Sequence, residues 1–388
     1  MKLVEVKDKR TVREFLEFPA ALYREHKNWI RPLDKDIEAV FDPKINRNFD
    51  TGEAIRWILK DDAGKTIGRV AAFVNESTKN SGDFPVGGMG FFECIEDKQA
   101  AFTLFDACRQ WLEARGVVAM DGPINFGERD KWWGLLVEGF TEPNYGMFYH
   151  MPYYQQLFEA YGFQVYFKQF TCWRSTREAL NPAILERMKR VQAEAGYTYR
   201  HANKNNSEKL ASDFYTVYTK AWASHTGISR MTMDKARAIV KQMKPVMDER
   251  LIWFGYFNEE PVAFFVMLPE LNQIFKHLNG KLDLIGKLKF LWYKHKLKSK
   301  KDKKTFGIIF GVVPEHQGKG VETGLIGSTQ EMVTGLGYSD IEMNWIGDFN
   351  PKMLAVTKLL GSSVCKTHIT YRFLFDPNRP FERYPIIK

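Results

Sequence analysis

The chain has 388 residues, a formal net charge of +9, and 44% hydrophobic and 27% charged residues. That length exceeds what one core usually fills and predicts two domains of ordinary soluble composition. No run of eighteen apolar residues occurs, so no membrane span is expected, and MKLVEVKDKR lacks the apolar stretch of a secretory signal.

Four dispersed cysteines (Cys94, Cys108, Cys172, Cys365) contain no C-x-x-C pair. A disulfide framework or metal site is therefore not expected, and a reducing cytoplasm is. The positive charge is concentrated. From Lys276 to Lys304 there are eleven lysines against two aspartates, so this segment alone matches the net charge and the remainder is near neutral. A generally basic nucleic-acid-binding body is not supported.

In chain order, KLVEVKD alternates as a short strand and TVREFLEFPAALYREH has helical spacing. AIRWILKDDAGKTIGRVAAFVN reads as strand, turn and strand, with Asp62-Ala63-Gly64 at the corner. GGMGFFECIED is a strand. The helical spacing of Ala101, Leu104, Phe105, Cys108, Trp111 and Leu112 follows it. VVAMDGPINF is a strand, PYYQQLFEAYGF a helix and FQVYFKQFTCWRS a strand.

NPAILERMKRVQAEAG reads as a bridging helix, after which the order repeats. YTYRHA is a strand; SEKLASDFYTVYTKAWASH and MDKARAIVKQM are helices. RLIWFGYFNEEPVAFFVMLP is a hairpin with Asn258-Glu259-Glu260 at its corner. KTFGIIFGVVP is a strand, ETGLIGSTQEMVTGLG a helix, YSDIEMNWI a strand, PKMLAVTKLLG a helix and THITYRFLF a strand. The expected fold class is α+β: two related domains, each a mixed, mostly antiparallel sheet flanked by helices. Their bounds are 1–175 and 197–388, joined by a linker helix at 176–196, with a lysine-rich insertion at 269–304.

The segment VPEHQGKGVETG, Val313 to Gly324, places glycines at 318, 320 and 324 between a strand and a helix. A strand, glycine turn and helix can aim free backbone N–H groups and a helix dipole at an anion. The spacing is neither a Walker A motif nor G-x-G-x-x-G. From spacing alone, a phosphate cradle and a plain turn stand level. Glu322 sets a carboxylate where an anion site would favour none.

Gln317-Gly318-Lys319-Gly320-Val321-Glu322 resembles the Q/R-x-x-G-x-G/A signature of the GNAT acyltransferase superfamily, and NPKMLAVTKLLG resembles its N-x-x-A-x-x-L-Y-x-x-x-G helix, with Asn350 and Gly361 in place. The element order agrees over residues 197–375. The first half agrees in order alone, without a glycine loop. The resemblance implies an acyltransferase, of the N-acetyltransferase kind, using acetyl-CoA or another acyl-CoA. Val312, Val313, Gln317, Gly318, Lys319, Gly320, Val321, Glu322, Thr323 and Asn350 would hold that cofactor. Two departures stand out. Glu322 replaces a small residue, and Thr357 falls where a thiolate-protonating tyrosine often stands.

Strand alternation puts Glu342 and Asn344 on one face of IEMNWIGDFN, and these are the candidate catalytic residues for an amine acceptor, small molecule or peptide. A solvated strand face is the equal alternative. His316 is read as an exposed loop residue in preference to a phosphate ligand, and Glu93 as a surface residue in preference to a first-half cleft. From Trp132 to Trp173, fifteen of 42 residues are aromatic, which favours an interdomain core over a substrate pocket. DGPINFGERDKWWGLLVEGF reads as a long ordered loop that would cap the acceptor pocket. KLDLIGKLKFLWYKHKLKSKKDKK reads as an amphipathic basic helix with Leu284, Leu288, Leu291 and Trp292 at helical spacing. The preferred reading is a surface insertion whose apolar stripe packs on its own domain, and the alternative is that it meets RNA, an anionic membrane or an acidic acceptor through 276–304. The competing readings are an aminoacyl-tRNA-dependent transferase on the same paired fold, supported by that insertion, and a non-catalytic binding protein that has kept the fold.

Overall fold

The computed structural model describes residues 1–194, 196–221 and 231–387. The end of the helix expected over SEKLASDFYTVYTKAWASH, from Trp222 on, lies outside them. The first half runs β1 (Lys2–Glu5), α1 (Lys9–Leu22), α2 (Asp34–Phe41), β2 (Gly52–Lys60), β3 (Thr66–Asn75), α3 (Glu76–Lys79), β4 (Val86–Cys94), α4 (Lys98–Glu113), β5 (Ala119–Gly122), β6 (Leu135–Glu138), α5 (Tyr154–Tyr161) and β7 (Gln164–Ser175). After α6 (Pro182–Ala193) come β8 (Tyr197–His201), α7 (Ser207–Ala221), α8 (Met233–Met243), β9 (Ile252–Phe257), β10 (Glu260–Pro269), α9 (Asn272–Phe275), α10 (Leu284–Ser299), β11 (Lys303–Val312), α11 (Val321–Gly335), β12 (Tyr338–Gly347), α12 (Pro351–Leu359) and β13 (Ser363–Leu374).

Local chemistry sets many of these boundaries. Asp8, Asp97, Thr232, Asp283 and Asn350 each accept a backbone N–H in the first turn of the helix they precede, satisfying donors that a helix start leaves without intrahelical partners. The β9–β10 corner is tighter than the sequence suggests. Asn258 and Glu259 both take positive φ (48° and 66°), and Glu260 already pairs with Phe257. A two-residue turn of this kind follows the right-handed twist of its strands.

Thirteen strands form one sheet in the order β1-β2-β3-β4-β5-β13-β7-β12-β11-β10-β9-β8, with β6 also on β13. The sheet does not close within either linear half. β7, from the first half, pairs with β12 (Glu342↔Trp173), while β13, at the end of the second, pairs with β5 (Tyr371↔Gly122). The two exchanged strands also pair with each other along their length. A division at 175 and 197 therefore describes the chain but not the sheet. The exchange makes the hydrogen-bonded ladder continuous and leaves no strand edge exposed at the centre.

The aromatic run from Trp132 to Trp173 supplies much of the junction. Phe167 meets Phe349 edge-on at 5.2 Å and stacks on Trp345 at 6.0 Å, and Trp132 and Phe148 pack on Phe91. No helix among the described residues is long and apolar enough to cross a membrane.

Candidate functional site

β11 and β12 run parallel and pair from Lys303 to Gly307, then separate. β10 accompanies β11 as far as Val312, and β7 accompanies β12 to Gly347, so a V-shaped opening is left at the C-terminal ends of two neighbouring parallel strands. Ile308, Ile309 and Phe310 are half-buried along its edge. Sites in open α/β sheets form at such ends, where neighbouring strands part.

The glycine turn stands at the mouth of this opening. Gly318 and Gly320 have φ of 74° and 88°, values that side-chain-bearing residues rarely adopt. Gly320 is the N-cap of α11 and supplies no side-chain acceptor, unlike the capped helices above. Thr323 turns inward and donates from N and Oγ1 to Gly320 O. The amides of Gly318, Lys319, Gly320, Val321 and Glu322 donate to no acceptor among the described residues. Gln317, Gly318 and Lys319 are exposed, and a Cβ on Gly318 would meet nothing within 4 Å. A row of free N–H groups at the positive end of a fifteen-residue helix can hold a phosphate or diphosphate. The residues present fit the diphosphate of an acyl-CoA.

Glu322 does not occupy the turn. It pairs with Arg187 of α6 at 3.2 Å, and the same guanidinium donates to Gly318 O at 3.1 Å. Arg187 Nε and Tyr199 Oη, both buried beside the start of α11, have no hydrogen-bond partner among the described residues. Arg187 was not legible as a site residue, because its role comes from α6 folding back across α11 rather than from any motif. The other expected positions divide by partner. Val313 N donates to Val262 O, and Val312 O accepts from the Gln317 side chain at 3.0 Å. Val321 is fully buried, and Asn350 Oδ1 caps α12 through Met353 N. His316 Nδ1 lies 2.7 Å from Tyr197 Oη, with its ring against Phe257, which ties the turn to β8. Thr357 donates to Leu354 O from a buried position.

On β12, Ile341 and Met343 face α11, and Glu342 and Asn344 face the opposite side, beneath the first-half segment between β6 and α5. Asn144 bridges the pair, donating to Glu342 Oε2 and Asn344 Oδ1 at 2.9 Å each. Lys366 on β13 donates to Glu342 Oε2 at 2.6 Å, and Lys304 Nζ stands 3.8 Å from Oε1. Glu342 is 5% exposed, so the face is not solvated. In the separate segment before β6, Arg129 O accepts from Trp345 Nε1 at 2.9 Å, so the expected loop also reaches β12 of the second half, although its Leu135–Glu138 part is a strand, β6, on β13. Glu270 adds a clasp, accepting from the amides of Tyr145, Asn272 and Gln273; burial raises its carboxyl to about 7.

The first half repeats the opening but fills it. β4 and β5 pair only from Val86 to Gly88. Cys94 N donates to Tyr154 Oη, and Cys94 O accepts from Tyr153 Oη, so the strand edge is taken. The anion position at the start of α4 holds the chain's own carboxylate, Asp97, which accepts from Ala100 N at 2.7 Å. Glu93 is buried, not a surface residue. It accepts from Tyr23 and Tyr154 at 2.6 and 2.9 Å and lies 3.7 Å from Arg69, and burial raises its carboxyl to about 7 against these partners. No group of three or more His, Cys, Asp or Glu among the described residues could hold a metal ion.

A solved tandem GNAT protein from the clavulanic acid biosynthesis pathway superposes on 97% of this chain and 99% of its own, with a TM-score of 0.56 and 11% identity. This chain has the tandem GNAT fold. A GCN5-related N-acetyltransferase from Sphaerobacter thermophilus agrees over 98% of both chains, at a TM-score of 0.50 and 10% identity. In this GNAT pair the second half carries the free-amide turn, while Asp97, Tyr153 and Tyr154 close the corresponding position of the first. Among curated proteins, one named bacterial ceramide synthase, from Caulobacter vibrioides (strain NA1000 / CB15N), is 27% identical over 377 residues, covering 96% of this chain and 97% of its own. Protein YghO of Escherichia coli (strain K12) is 26% identical over 372 residues, covering 94% and 93%. No family model matches the chain.

Proposed function

We propose that the second half takes an acyl-CoA and transfers its acyl group to the amino group of a long-chain lipid amine. The observation that carries this reading is the unbroken run of free amides from Gly318 to Glu322 beside an opening between parallel strands. The lipid acceptor is supported by the full-length similarity to a protein named bacterial ceramide synthase, since a ceramide is the N-acyl derivative of a long-chain amino alcohol.

The acyl thioester, when bound, supplies an activated carbonyl carbon and a thiolate leaving group. The amine must attack as a free base, and its nitrogen must lose a proton as the C–N bond forms and the C–S bond breaks. Glu342 and Asn344 supply polar groups on the face where an acceptor would enter. Glu342 Oε2 is committed to Lys366 and Asn144, whereas Oε1 has only Lys304 at 3.8 Å, so Oε1 is the atom we assign to take the proton. Thr357 is given no step, because its hydroxyl is already bonded to Leu354 O. Gly318 through Glu322 hold the diphosphate, with Lys319 as the adjacent cation and Arg187 offsetting Glu322.

Thermal unfolding with acetyl-CoA and with a long-chain acyl-CoA tests the binding half. Stabilisation of about 2.7 kcal/mol is expected at a hundredfold excess over Kd. Mass spectrometry of the protein incubated with acyl-CoA and a long-chain amino alcohol should then show the amide. Binding of charged tRNA without any response to acyl-CoA would replace this reading with an aminoacyl transfer. Binding of acyl-CoA without turnover of any amine would leave a carrier.

A further inference from the structure

α10 turns an apolar stripe outward, so the stripe expected to pack on its own domain does not; the opposite face does that instead. Leu284, Ile285, Leu288, Leu291 and Trp292 are between 51% and 75% exposed. At 3.6 residues per turn they fall within an arc of about 120°. The opposite face is already satisfied: Phe290, Tyr293 and Leu297 pack on the cluster of Leu271, Ile274, Phe275 and Leu278. Phe290 stacks on Phe275 and Tyr293 on His277, at 5.9 and 3.9 Å. Two apolar stripes on opposite sides of one helix mean that only one serves the fold.

Lysines border the outward stripe on both flanks. Lys287, Lys294 and Lys298 lie on one side and Lys289 and Lys296 on the other, with no acidic residue in the helix. Lys296 Nζ stands 3.9 Å over the Trp292 ring. An apolar strip set between rows of long cations, with an indole near its edge, matches a lipid interface, where aliphatic side chains enter the acyl boundary and lysines reach the headgroups.

We propose that α10 lies in the plane of an anionic phospholipid bilayer and docks the protein there. RNA would use the lysines but leave the leucines and isoleucine without a role. A second copy across a two-fold axis would bring the same lysine rows together, with no acid in either helix to meet them. The docking surface is linked to the acceptor cluster through three packed rings, Phe290, Phe275 and Tyr145 (5.1 Å from Phe275), and Tyr145's chain neighbour Asn144. This inference does not rest on the acyl-transfer reading; it stands on exposure and charge alone.

The test is cosedimentation of the full chain with phosphatidylcholine vesicles, with and without phosphatidylglycerol. Wild type should bind the anionic vesicles at least about tenfold more strongly, and binding should weaken with salt. Leu288→Glu with Leu291→Glu should lower that binding about tenfold or more while leaving the melting temperature unchanged, since both side chains are exposed. Lys287→Gln with Lys294→Gln and Lys298→Gln should erase the preference for phosphatidylglycerol. The proposal is overturned if wild type ignores both vesicles, or if the leucine double variant binds as wild type does. It is equally overturned if wild type is a dimer that the double variant breaks while neither binds lipid, or if tRNA but not lipid is retained.

Discussion

Lys366 Nζ lies 2.6 Å from Glu342 Oε2, and both side chains are almost fully shielded from water, at 2% and 6% exposure. They come from β13 and β12, which are not neighbours in the sheet; β7 runs between them. The ion pair thus spans the exchanged strand and fixes the Glu342 face of β12. Removing one partner leaves a buried charge unpaired. Lys366→Met should cost about 3–5 kcal/mol in urea unfolding, and Lys366→Met with Glu342→Met should recover most of that loss. Glu342→Gln leaves Lys366 unpaired and should lose about 3–5 kcal/mol as well; assayed where it is still folded, it should bind acyl-CoA as wild type does and lose amide formation by about 100-fold or more. An unchanged rate would remove the base assignment.

The two glycines of the turn should behave differently. Gly318 has open space around its Cβ position, so Gly318→Val should cost only about 1–2 kcal/mol of backbone strain while crowding the free amides. Its signature is an acyl-CoA Kd raised about tenfold or more in a folded protein. At Gly320 a Cβ would fall 2.7 Å from Val191 Cγ2 and 3.0 Å from Arg187 Nε, so Gly320→Ala should lose stability as well as affinity. Calorimetric titration beside thermal unfolding separates the two effects.

Arg187 and Glu322 allow a charge test. Glu322→Gln removes the only carboxylate in the turn's first helical residues and should tighten acyl-CoA binding several-fold. Arg187→Ala leaves Glu322 uncompensated and should weaken binding by about tenfold, with the double variant close to wild type. If neither single variant alters affinity at low salt, the diphosphate does not sit at this turn.

Glu93 predicts a pH effect. Its carboxyl is raised in the folded chain from 4.5 to about 7, so between those values the folded state binds the extra proton. Stability from this group is fully present below about 4.5 and is lost as pH rises through about 7. Glu270 has the same sign and window. His368 has the opposite sign, since burial lowers it from 6.5 to about 4 and its contribution is lost as pH falls through that range. The informative quantity is therefore wild type minus Glu93→Gln, measured as melting temperature from pH 4.5 to 8. Wild type should lose ground to the variant as pH rises, by up to roughly 3 kcal/mol.

The sequence by itself determined the alternating strands, the side-chain-capped helices and the glycine turn after β11, because periodicity, Asx caps and positive-φ glycines act over a few residues. It also placed Glu342 and Asn344 on a common strand face. The free state of the amides from Gly318 to Glu322, the Arg187–Glu322 pair and the bridge from Asn144 to β12 were decided by tertiary structure. So was the exchange of β7 and β13, whose strands resemble other half-buried strands when read alone. Local sequence sets which groups a residue offers and which face it occupies. Which groups remain unpaired, and which charges meet, depends on segments 24 to 198 residues apart arriving at one place.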